Sequence, residues 1–419
     1  MSSSPVTARV RTARPLVVGL LVTFLVTAAG CSWFGNSSKS DSSKTPKPKA
    51  AKLVKIDTEV RVKRLWRASV GRGLGRKYIR TRPAVLADQV FAADAYGTVV
   101  SHERFTGKRL WKVSIGTPEG KGMKFWDRRD PGFVTGGVGA GGGMVYVGTT
   151  KGEVFALSAA DGTEQWKIDI GTESVVAPVY NSGRVFIQTI DGRLLARDSE
   201  TGDNVWAFDS QVPVLTLRGT ATPVVDSDVV YTGFADGMLM ALNARSGERL
   251  WGHRVMLPQG RSELDRMVDV DSSALVQGPI VYAVSFQGRL KAIRREDGRG
   301  LWELETSSFL DLASGYGQVY VVDEKDTVTA IDLESAEEAW SNASLALREL
   351  SSPVAYNNYL LVGDDDGYLH VLAQSDGRFL GRTRLDGEGL RSPFTVADGT
   401  VYAYGSGGSL TALEIEALD

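Results

Sequence analysis

The chain has 419 residues, with 48 basic and 50 acidic side chains and a formal net charge of −2. That balance argues against a general nucleic-acid binder, which carries a clustered basic surplus. The single cysteine rules out an intrachain disulfide, and the three histidines (His102, His253, His370) are too scattered to form a metal-ligand pattern.

Residues 1–30 read as an export signal. Arg9, Arg11 and Arg14 give a positive start, and Leu16 to Ala29 form an uncharged, mostly apolar run of about fourteen residues. A membrane span needs roughly twenty. The run ends in Thr27-Ala28-Ala29-Gly30-Cys31. Small residues before a lone cysteine resemble the bacterial lipobox, in which Cys31 would be acylated and become the mature N-terminus. The alternative is a plain secretory signal cleaved near Ala29. Acyl chains contribute about 0.8 kcal/mol per buried CH₂, so two or more give stable anchoring. In lipoproteins of this class a residue other than Asp after the cysteine, here Ser32, is associated with outer-membrane sorting. Residues 31–58 are rich in Ser, Lys and Pro and too polar to bury a core, which predicts a flexible tether. Its lysines also suit anionic lipid headgroups.

From there a repeat dominates. A glycine is followed by Ala four residues on, by a second Gly at ten and by Trp at fourteen, as in Gly152/Ala156/Gly162/Trp166. The register recurs at Gly192/Ala196/Gly202/Trp206, Gly237/Ala241/Gly247/Trp251 and Gly288/Ala292/Gly298/Trp302. It is degraded at Gly97/Ser101/Gly107/Trp111 and at Asp326/Ala330/Ala336/Trp340. Gly367/Val371/Gly377 continues it with Gly381 in the Trp position, and Gly408/Ala412 begins an eighth copy that ends before its Trp. Copies start 38 to 55 residues apart, the spacing of propeller blades. Inside each copy, two-fold runs such as Val154-Phe155-Ala156-Leu157 alternate with Asp-Gly, Thr-Gly or Ser-Gly turns, which predicts antiparallel strands. A strand opens many copies after Pro (Pro178, Pro223, Pro353, Pro393), where no ladder donor is needed. Trp66 has no repeat before it, yet its flanks match those of Trp111. The prediction is therefore an all-β, eight-bladed β-propeller of four-stranded antiparallel blades over residues 59–419, closed by the N-terminal strand. Trp66, Trp111, Trp166, Trp206, Trp251, Trp302 and Trp340 are assigned to packing between blades.

The Ala-x-(Asp/Asn)-x-x-x-Gly-x-x-x-Trp signature is similar to the Trp-docking repeat of quinoprotein dehydrogenases. Two groups carry it, the PQQ-dependent alcohol and glucose dehydrogenases and the BamB lipoproteins of the outer-membrane β-barrel assembly machinery, so it implies fold before function. The lipobox, the tether and a length that leaves room for little beyond eight blades resemble BamB. Two stretches resemble it further: Leu215-Thr216-Leu217-Arg218-Gly219, and Ser262 to Asp271 with Asp269-Val270-Asp271. The resemblance implies that Leu215, Leu217, Arg218, Asp269 and Asp271 bind the POTRA region of a BamA-like protein. It further implies a non-catalytic monomer within a hetero-complex, with other assembly subunits as partners, held at the periplasmic face of the outer membrane. Both stretches follow a Trp strand and precede the next blade, so they should emerge on one face near the central channel, with the leucines exposed as anchors. The alternative is that Arg218 pairs with Asp269 or Asp271 within the chain. An envelope propeller binding another partner or a glycan remains a second reading, and a PQQ-dependent dehydrogenase a third.

No catalytic motif accompanies these features. Gly137 to Gly142 matches a dinucleotide fingerprint formally, but a strand follows where a helix is required, and the segment reads as a loop. Asp364-Asp365-Asp366-Gly367 lacks calcium-loop spacing and reads as a solvated turn. No cofactor or metal is expected. Residues 117–136, with Lys121, Lys124, Phe125, Trp126, Arg128 and Arg129, form an insertion suited either to a partner or membrane or to folding back on the ring.

Overall fold

The computed structural model describes residues 49–75, 79, 81–116, 133–213, 215–216, 220–259, 261–262 and 264–418. Cys31, most of the 117–136 insertion, Leu217 and Arg218 lie outside them. The named elements are strands, arranged as eight four-stranded antiparallel sheets. Blades 1 to 7 span 84–114, 138–169, 179–209, 224–254, 275–305, 313–342 and 354–384, each with its four strands in chain order. Blade 8 takes three strands from 395–417 and its outermost from Val60–Ser69. That strand runs antiparallel to Ser409–Ala417, with Val60 opposite Ala417 and Ser69 opposite Ser409. The ring is therefore closed by joining the two ends of the propeller chain, as the unmatched Trp66 implied.

Blade 3 shows how sequence becomes layer. Its second strand, Arg184–Gln188, is buried at four successive residues because both sheet faces meet neighbouring blades. Its outermost strand, Asn204–Asp209, buries Trp206 alone. Pro178, Pro223 and Pro353 stand immediately before the innermost strands Val179–Asn181, Val224–Asp226 and Val354–Tyr356.

Six of the eight seams are built from one residue pair of the repeat. The Trp166 indole nitrogen donates to the Ser199 carbonyl of the next blade at 3.0 Å, and its ring lies 6.0 Å from Tyr146. Against that ring sits Gly202, φ +79°, where a Cβ would stand 3.0 Å from the indole. Trp66, Trp111, Trp206, Trp251 and Trp340 make the same bond to Arg104, Ala159, Ala244, Arg295 and Gln374, at 2.8 to 3.2 Å. The glycine has two duties here: it accepts a left-handed turn, and it leaves room for the indole. Blade 6 has Ala336 (φ 60°) at that position instead, and Trp302, which faces it, is half-buried where the other six are buried.

Blade 7 departs from the rule for a visible reason. Gly381 lies opposite Val371, the register in which Trp206 lies opposite Ala196. A Cβ on Gly381 would stand 2.7 Å from a Val60 methyl, and Val60 is buried there among Leu380, Leu413 and Ile415. The slot that an indole fills elsewhere is taken by the N-terminal chain.

Three local expectations change. The residues just ahead of Val60 were expected to be flexible tether, but they lie along blade 7: the Ala51 amide donates to the Ala346 carbonyl and the Glu59 amide to the Leu380 carbonyl, both at 2.8 Å. Val138–Gly141, expected as loop, is the innermost strand of blade 2. Its glycines are steric: a Cβ at Gly139 would stand 1.8 Å from the Pro178 carbonyl. Asp364, expected in a solvated turn, is fully buried, accepting from Arg348 Nε at 2.8 Å, from the Tyr368 amide at 2.8 Å and bonding His370 Nε2 at 2.9 Å.

Candidate functional site

Strand direction sorts the loops onto two faces. The connections from each outermost strand to the next blade, and the turns between second and third strands, emerge together. Both stretches singled out in the sequence belong to this face, in the connections from blade 3 to blade 4 and from blade 4 to blade 5.

Leu215 is 41% exposed, and so is its neighbour Val212 at 44%. In the second connection Leu257 is 58% exposed and Leu264 60%. Exposed large apolar side chains on two adjoining connections mark a candidate contact surface. Leu257 and Leu264 were missed as site residues, because a solvent-facing leucine in a loop has no periodicity to betray it. Leu217 and Arg218 lie outside the described residues, as does any pairing of Arg218.

The two aspartates differ. Asp271 is half-buried, whereas Asp269 is fully buried between Val268 and Val270. The Asp269 carbonyl accepts from the Phe286 amide of blade 5 at 2.9 Å, and the Val270 amide donates to the Phe234 carbonyl of blade 4 at 3.2 Å. This stretch stitches two blades together, so Asp269 shapes the connection rather than presenting a carboxylate at the surface. Nearby, burial raises the Asp236 carboxyl above its ordinary value, against the Met238 amide that stabilises its charged form.

The channel mouth on this face is bridged. Arg82, leading into blade 1, reaches Asp311, leading into blade 6, with Nη2 to Oδ2 at 3.1 Å. These blades are not neighbours, so the pair spans the mouth. Asp311 also accepts from the Ser273 amide of blade 5 at 2.8 Å, and its own amide donates to Ser352 Oγ of blade 7 at 3.0 Å. Ser273 lies two residues beyond Asp271, so the hub holds the end of the candidate docking connection. Nothing local marks Asp311 or Arg82 in the sequence, since they meet only when the ring closes.

A Trp-docked ring of eight four-stranded sheets defines a quinoprotein-type propeller. The family model described as Outer membrane protein assembly factor BamB matches residues 97–342 and 343–419, and the chain belongs to that family. Outer membrane protein assembly factor BamB of Pseudomonas aeruginosa is 39% identical over 395 residues, covering 94% of this chain and 98% of that one. The protein of the same name from Yersinia pestis is 34% identical over 400 residues, covering 93% and 98%. The crystal structure of BamB from Moraxella catarrhalis superposes with a TM-score of 0.74 at 27% identity, over 84% of this chain and 100% of that one. Quinohemoprotein alcohol dehydrogenase from Comamonas testosteroni reaches a TM-score of 0.65 at 14% identity, over 85% and 76%, and shows the fold alone. Among the described residues no group of three or more His, Cys, Asp or Glu side chains is placed to hold a metal ion.

Proposed function

We propose that this chain is a non-catalytic scaffold of outer-membrane protein assembly, lipid-anchored through Cys31 at the periplasmic face, that docks on the POTRA region of a BamA-like protein. Relatives of matching length named as outer membrane protein assembly factors support the role. The docking face rests on one observation above the others: Val212, Leu215, Leu257 and Leu264 stand exposed on two adjoining connections of one face. Leu215, Leu217 and Arg218 would make the contact, with leucines as anchors and the guanidinium as a charged hot spot. Asp271 lies in the adjoining connection, which buried Asp269 holds in shape. The Arg82–Asp311 bridge across the mouth favours a presenting face over a passage through the channel.

Tagging the C-terminus, extracting native envelopes in mild detergent and identifying what co-purifies tests this directly. A BamA-type protein should come down with the wild-type chain and be lost with stably folded Leu215→Glu and Arg218→Glu variants. Its persistence with both variants would place the interface elsewhere. Its absence from the wild-type pull-down would remove the scaffold reading.

A further inference from the structure

The residues just ahead of the propeller carry an arrangement that no repeat element explains. From Ala51 to Glu59 the chain descends the outer edge of blade 7, beside the outermost strand Phe379–Arg384. It starts at the face that bears the candidate docking connections, where the Ala51 amide bonds the Ala346 carbonyl in the lead-in to blade 7. It ends at the opposite face, where Glu59 meets Arg378 at 2.9 Å and its amide bonds the Leu380 carbonyl. Two arginines hold the course between. Arg348 Nη1 donates to the Ala51 carbonyl at 3.0 Å, and Arg382 Nη1 to the Val54 carbonyl at 3.1 Å. Leu53 packs on the cluster that contains Leu345 and Leu350. Neither arginine is free to drift: Arg348 also grips buried Asp364 and Asp366, and Arg382 Nε donates to His370 Nδ1 at 3.0 Å.

We infer that residues 49–59 are a strap that delivers the lipid anchor from a fixed point, the docking-face rim of blade 7, so that this rim meets an anionic phospholipid surface. The inference rests on the anchored reading of Cys31. Seventeen residues lie between Cys31 and Lys49. A chain of that length spans at most about 60 Å when fully extended, and a coil of that length has an r.m.s. reach of roughly 23 Å. A short tether leaving one rim biases the whole ring; the same tether leaving a loose segment would not. Gly381 is the sequence trace of the device, since an indole there would collide with Val60, where the strap enters the ring. Lys49, Lys52 and Lys55 are exposed along the strap. Exposed ammonium groups of this kind are attracted to an anionic leaflet. The docking connections open on the same face, so the strap would hold membrane and partner on one side of the ring.

The test uses the full-length lipoprotein in vesicles of phosphatidylethanolamine and phosphatidylglycerol that carry a headgroup quencher. One fluorophore is placed at Glu388→Cys, on the docking face of blade 7. Another is placed at Glu200→Cys, on the opposite face of blade 3. Both positions are exposed. The blade 7 label should be quenched roughly twofold or more over the blade 3 label, and Leu53→Asp, which releases the strap at its periphery, should erase the contrast. Equal quenching in the wild-type chain overturns the strap, and so does a contrast that survives Leu53→Asp in a chain shown by hydrogen exchange to have lost protection over 51–59. Failure to float with the vesicles at all removes the anchor and this inference with it, while leaving POTRA docking to its own test.

Discussion

The seam between blades 2 and 3 and the seam between blades 7 and 8 solve one packing problem by different means. In the first, Trp166 fills the gap, bonds Ser199 and rests on Gly202. In the second, Gly381 yields the gap to Val60, a residue more than three hundred positions away in sequence. The repeated seam is self-contained, because each copy of the motif supplies a key for the next. The closing seam depends on both ends of the propeller chain, and that is where the chain departs from its own repeat.

The comparison breaks most sharply at the repeated seam. Trp166→Ala should cost ~3–5 kcal/mol by denaturant titration, since it empties a buried slot and leaves the Ser199 carbonyl with only the longer 3.4 Å bond from the Tyr146 hydroxyl. A loss under about 1 kcal/mol would show that the indoles are not the packing keys.

Next in size is a pH effect at the seam of blades 8 and 1. His102 is buried, stacked on Trp66 with centroids 6.3 Å apart. Burial, helped by Arg109, lowers its pKa from 6.5 to about 4. The unfolded imidazole binds its proton first, so this contribution is complete above pH 6.5 and is withdrawn as pH falls toward 4, by ~3 kcal/mol. Melting temperature should drop across that window, and His102→Gln should flatten the drop. His253 and His370, also held low by burial, leave a residual slope. An unchanged slope in the variant would mean that His102 takes up its proton without penalty.

The smallest expected effect sharpens the comparison from the other side. Restoring the repeat with Gly381→Trp should destabilise the ring by about 1–3 kcal/mol, because the slot is already full. A gain in denaturation midpoint would mean that Val60 is a poor substitute that the indole displaces.

These contrasts explain what the sequence disclosed. Eight blades, their order and the closing strand were legible because Gly-Ala-Gly-Trp recurs at fixed offsets and each glycine answers a local need, such as φ +79° at Gly202. The strap was not, because its Ser/Lys/Pro surroundings read as tether and its hold comes from Arg348 and Arg382, about three hundred residues on. Asp364 was misread for the same reason: its turn composition is polar, while the partners that bury it come from another connection and another strand. In the candidate site, Leu215 carries a role expected from resemblance, and the structure adds only that it is exposed. Leu257, Leu264 and the Arg82–Asp311 bridge were not legible, since exposure and cross-ring pairing exist only in three dimensions.

The central claim, that the face bearing Leu215 and Leu264 is where a partner docks, is tested most directly by titrating the purified chain with the POTRA region of the BamA-like protein from the same cell. Saturable binding that weakens about tenfold or more in Leu215→Glu, with the melting temperature unchanged, is the predicted result. Equal affinity for wild type and for the doubly substituted Leu215→Glu, Leu264→Glu chain would contradict it.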